Sequence, residues 1–138
     1  MVVKLDPRDP ATSAEVRARH DALAEINDEL SDIDTMLNAV DGRLKRAPQA
    51  DATTLRALRA RLTVDPHNIE DLKTTAQVRE GLLDLLSRIG ATSYQAATES
   101  QRAEGRRLRR LYEGVASKGR GLGLLHEAKA SRTSVFDI

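Results

Sequence analysis

Apolar residues in the first third of the chain recur in alternating steps of three and four. Val16, Leu23, Leu30, Leu37 and Leu44 are spaced seven apart, and Ile26, Ile33 and Val40 each follow one of those leucines by three. This spacing holds one stripe on one side of an α-helix and suits lengthwise packing against other helices. Thr12 with Glu15 fits a capping box, with Ser13 as a second candidate cap, and Pro48 stops the helix. The pattern therefore predicts a first helix over 12–47, on the order of 50 Å long at 1.5 Å per residue. Arg19 interrupts the stripe where an apolar residue is expected.

Leu55, Leu58 and Leu62 give a short second helix, 52–62, one apolar edge. Asp65 and Pro66 form a cap and first-turn signal for a third helix, over 66–89. That helix carries two apolar tracks: Ile69, Leu72, Ala76, Leu83 and Leu86 on one, and Val78, Leu82, Leu85 and Ile89 on the other. Two adjacent tracks make a face wide enough to touch two neighbours, and the densest part of the core is expected at 81–86. Thr92 with Gln95 suggests a second capping box and a fourth helix over 93–118, with Leu108, Leu111 and Val115 as its large apolar groups. Gly119, Gly121 and Gly123 read as a loop, and Leu122, Leu124, Leu125 and Ala128 as a last short helix.

Pro7 and Pro10 make residues 1–11 an extended arm. The organisation that follows is an arm over 1–11, a helical bundle over 12–118, and a loop, short helix and tail over 119–138. The fold class expected is all-α: an elongated helical hairpin or bundle built on a coiled-coil heptad helix, with extended termini. The expected packing interface is Leu23, Ile26, Leu30, Ile33, Leu37, Val40, Leu44, Leu83 and Leu86.

Composition supports this choice. The only aromatics among the 138 residues are Tyr94, Tyr112 and Phe136, so aliphatic side chains must fill the interior, which suits thin helical bundles. Charged residues make up 31% of the chain, enough for long solvated helix faces. The net charge is +1 but unevenly spread: residues 1–42 hold ten acids against four bases, and the remainder eleven against eighteen. Such asymmetry steers one half onto the other, within a chain or between subunits.

The residues of known chemistries are sparse. There is no cysteine, hence no disulfide frame or thiolate. His20, His67 and His126 lack a second ligand at metal-binding spacing, and no Glu-x-x-His occurs. Asp28, Glu29 and Asp32 lie off the heptad stripe and read as a solvated face. No Gly-x-Ser-x-Gly elbow or Walker-type phosphate loop is present, and Gly119-Arg120-Gly121-Leu122-Gly123 lacks the strand that would precede one. No catalytic, metal or cofactor site is expected, nor a small-molecule substrate.

Two features point outward. Arg102, Arg106, Arg107, Arg109, Arg110, Lys118 and Arg120 stand against Glu104 and Glu113 alone, a local excess able to meet phosphates or an acidic partner. Val135, Phe136 and Ile138 form an apolar tail able to plug into a neighbouring subunit. No run is long and apolar enough for a membrane span, and the first residues lack the apolar core of a signal peptide. The expectation is a non-enzymatic structural or adaptor subunit of a multi-subunit assembly, in the cytoplasm or in a larger particle such as a virion. Its partners would be protein subunits, identical or different. The alternatives are a nucleic-acid-binding helical module using the arginine cluster, and a small cytosolic chaperone or regulator holding a partner's helix.

Overall fold

A computed structural model describes residues 12–46, 51–63, 77–91, 96–127 and 133–137. Four helices pack together: α1 (Ser13–Arg46), α2 (Ala52–Leu62), α3 (Val78–Gly90) and α4 (Glu99–Gly121), followed by a single 3-10 turn at Val135–Asp137. No strand occurs among the described residues.

Helix boundaries follow local chemistry. At the start of α1, Thr12 Oγ1 accepts the Glu15 backbone N–H at 3.1 Å, as its spacing predicts. α2 begins after Asp51, which sits in the left-handed region at φ 56° and makes no side-chain cap. α4 starts later than expected. Thr98, not Thr92, is its cap: Thr98 Oγ1 accepts from Gln101 N at 3.1 Å, and Gln101 Oε1 accepts from Thr98 N at 2.9 Å. Both residue pairs have the capping-box spacing, so the sequence alone does not rank them.

α4 also runs further, through Gly121. It closes in a Schellman motif, with Leu124 N bonded to Gly119 O at 2.8 Å and Gly123 N to Arg120 O at 3.0 Å. Of the three glycines expected to form a loop, only Gly123 has a left-handed φ, 72°. Gly119 is helical and buried because Met36 of α1 lies on it; a Cβ there would come within 2.5 Å of Met36 Sδ. Residues 122–127 form turns, not a last short helix. The Asp65-Pro66 start signal, the Thr92–Gln95 pair, the N-terminal arm, Ala128 and Ile138 lie outside the described residues.

Cross-contacts give the arrangement. Glu29 meets Arg109, Met36 meets Gly119, and Arg43 comes beside Gly123, so α1 and α4 run parallel. Arg59 bonds Asp41, Arg79 bonds Asp34, and Arg19 bonds the Gly90 carbonyl, so α2 and α3 run back along α1 in succession. Thr63 bonds Glu80 where these two helices approach. The bundle is thus three rods in mutual contact, with the antiparallel rod divided between α2 and α3. Arg19, the apparent flaw in the stripe, places a cation on the C-terminal carbonyl end of α3, where the helix dipole favours it.

The core is aliphatic. Its largest buried groups include Ile26, Ile33, Met36, Leu55, Leu58, Leu62, Leu82, Leu85, Ile89 and Leu108, with Phe136 at one end. On α1 the buried stripe is Ala22, Ile26, Glu29, Leu30, Ile33, Met36 and Val40. The Ile/Val line lies at its centre, and the leucine line runs along one flank, buried at Leu30 as expected and less so at its other positions. Leu30 is 8% exposed, and Leu23, Leu37 and Leu44 are half-buried. A heptad seam presumes one partner. α1 has a divided rod on one side and α4 on the other, so its buried face is wider and centred elsewhere.

α3 resolves its two tracks in the same way. Val78, Leu82, Leu85 and Ile89 enter the core. Leu83, expected in the densest part of the interior, is 38% exposed, and Leu86 is half-buried.

Candidate functional site

Glu25, Glu29 and Asp32 occupy one side of α1 at steps of four and three, and all three face α4 or the chain's end. Glu29 is 2% exposed and accepts from Arg109 Nη1 at 3.1 Å. Arg109 also donates from Nε to Glu113 at 3.1 Å, and its guanidinium lies 5.1 Å from the centroid of the Tyr112 ring. The Tyr112 hydroxyl donates to Asp32 Oδ2. His126 Nε2 lies 3.9 Å from the other oxygen of Asp32.

This corrects the reading of Asp28, Glu29 and Asp32 as a solvated face: Asp28 alone is exposed. Glu29 stands four residues from Ile33 and three from Ile26, at a core position of the displaced stripe. That spacing was the available signal.

Burial pushes the Glu29 carboxyl up to about 7, against the opposing effect of its Arg109 hydrogen bond. Burial, then the hydrogen bond to Asp32, pushes the Tyr112 phenol up to about 12. Enclosed carboxylate–guanidinium and carboxylate–phenol contacts of this kind hold helices in register.

The seven cationic residues do not form one surface. Arg102 and Arg106 turn to the end of the chain, where both donate to the Phe136 carbonyl, at 3.3 and 2.8 Å. Arg106 also bonds Glu99 at 3.0 Å. Arg107 pairs with Glu104 one turn away, Arg109 faces Glu29, and Arg120 donates to the His126 carbonyl at 3.0 Å. Arg110 and Lys118 stand exposed.

The chain's end docks on its own bundle. Phe136 is 1% exposed and lies over Gly105, where a Cβ would come within 2.6 Å of its ring. Glu25 accepts from Ser134 Oγ at 2.7 Å and from the Val135 N–H at 3.1 Å. The expected plug into a neighbour is, for Val135 and Phe136, an intramolecular plug between α1 and α4. The sparse direct contact between those two helices leaves the space that the phenyl ring fills.

A second feature lies on the outside. Leu30, Leu83 and Leu86 floor a groove between α1 and α3, rimmed by Asn27, Ser31, Asp34 and Arg79 among others. Among the described residues no cluster of three or more His, Cys, Asp or Glu side chains is placed to hold a metal ion, and no helix is long and apolar enough to cross a membrane. His20 and His126 are exposed; His67 lies outside the described residues. No protein-family model matches the chain, and neither a curated protein nor a solved structure shows significant similarity to it.

Proposed function

We propose that this protein is a non-enzymatic structural or adaptor subunit that works by packing its helices against another subunit. The supporting observation is Leu83 of α3, which stays exposed beside half-buried Leu86, with Leu30 of α1 at the base of the same groove. An apolar floor with a polar rim suits an amphipathic helix laid lengthwise, read through side chains at helical spacing. Asp34 and Arg79 neutralise each other on that rim at 3.1 Å, so an identical surface can approach it without like-charge repulsion in a two-fold contact. A second copy of the chain is therefore the occupant we assign to the groove. Such a subunit would act in the cytoplasm or within a larger particle such as a virion.

Light scattering across a concentration series tests this reading. The expected result is a mass at least double the 15.2 kDa of one chain, reduced toward the single-chain value by Leu83→Asp. A single-chain mass at every concentration would rule out self-assembly through the groove.

A further inference from the structure

We propose that the cleft holding residues 133–137 is a recognition site for a Ser-x-Phe peptide, and that the tail of a second copy can occupy it in place of the chain's own. The contacts are those of peptide recognition. Glu25 reads one side of the segment, accepting both the Ser134 hydroxyl and the Val135 N–H. Arg106 and Arg102 read the other, through the Phe136 carbonyl. A single aromatic side chain fills a socket whose floor is Gly105.

The ligand is self-contained. Ser134 Oγ accepts from Phe136 N at 3.2 Å, and Ser134 O accepts from Asp137 N at 3.0 Å, closing one tight turn. A segment that orders itself loses less freedom on docking.

The socket is also built for this occupant. Glycine within a helix is unfavourable by about 1 kcal/mol relative to alanine. Gly105 sits mid-helix in α4, and any side chain there would collide with the ring. Beside the tail, a groove of about 550 Å³ lined by Arg17, Ala18, Asp21, Ala97 and Val135 among others opens to solvent. Docking rests on side-chain clips and one ring, with no backbone ladder to α1 or α4. A single turn held in this way can exchange between identical chains, which is the route of a domain swap.

The test uses a fluorescent synthetic peptide of residues 133–138 and the full chain carrying Phe136→Ala. Saturable binding is expected, lost when the peptide itself carries Phe136→Ala and weakened about tenfold or more by adding Gly105→Ala to the chain. Leu83→Asp should leave peptide uptake unchanged, which separates this site from the outer groove. If the Phe136→Ala chain does not fold by circular dichroism, a specific protease site placed across 128–132 of the otherwise unaltered chain replaces it. The cut chain should then trade its own tail for labelled peptide.

For the second copy as source, the Leu83→Asp chain, whose outer groove is disabled, should still form some double-mass species at high concentration, and free peptide in excess should remove it. A folded Phe136→Ala chain that takes up no peptide, a cut chain that shows no exchange, or a mass indifferent to the peptide would each overturn the proposal.

Discussion

Glu29 and Arg109 lie 80 residues apart in the chain, and their side chains meet at 3.1 Å in the interface between α1 and α4. Arg109 continues to Glu113 on its own helix, so the guanidinium bridges a buried acid and an exposed one. The contact fixes the register of two parallel helices whose backbones approach each other closely at few positions.

The pair gives the bundle a specific pH response. The Glu29 carboxyl is raised from 4.5 to about 7 in the folded protein, so between those values the folded state holds a proton that the unfolded state has released. Stability from this group is fully present below pH 4.5 and is lost as pH rises toward 7, by about 3 kcal/mol at 1.36 kcal/mol per unit. Denaturant melts of the unaltered chain and of Glu29→Gln between pH 4.5 and 8 check this. The difference in stability between the two should shift in favour of Glu29→Gln as pH rises; a constant difference would contradict the shift.

The two leucines at the centre of α3 should behave differently despite being neighbours. Leu82 is fully buried, and Leu82→Ala should cost about 2–5 kcal/mol through lost burial and a residual cavity. Leu83→Ala should change stability by no more than about 0.5 kcal/mol, as for other surface positions. Paired urea melts decide the matter, and equal losses would mean that both tracks are internal.

Gly105 and Phe136 should show strong coupling. Gly105→Ala alone forces the ring to move and should destabilise by about 1–3 kcal/mol. With Phe136→Ala already present, the same change should be neutral or stabilising by up to about 1 kcal/mol, since alanine is the better helix former. A thermodynamic cycle over the four chains measures the coupling, and additive effects would show that the ring does not rest on that glycine.

Gly114 provides the opposite case on the same helix. Its position is exposed, and a Cβ would meet only the flexible Arg61 guanidinium at an ordinary 3.7 Å. Gly114→Ala should therefore raise stability by about 0.5–1 kcal/mol, seen as a higher melting temperature.

Removing the tail should also cost the fold. Phe136 is completely enclosed, so Phe136→Ala is expected to destabilise by about 3–5 kcal/mol in thermal or urea melts. A truncation before Val135 that melts like the full chain would show that the ring contributes nothing to the bundle.

Local chemistry determined the helices themselves. Apolar steps of three and four, the Thr12 cap and the scarcity of aromatics predicted an all-α chain, with the first two helices placed within a residue or so. The order of steps also put Ile26, Ile33 and Val40 on one packing stripe with the leucines, because one helix's periodicity is a property of its own residues.

Only the tertiary structure decided which flank of that line is buried. That Glu29 is buried beside Leu30, and that Leu82 is buried where Leu83 is not, depends on how many neighbours a helix has and at what angle they stand. The same holds for the arginines: Arg102, Arg106 and Arg109 form a basic run in sequence, but the bundle divides them between a tail carbonyl and a buried carboxylate. A long-range partner supplies energy to a side chain only once the chain has folded, so its effect is absent from any local pattern.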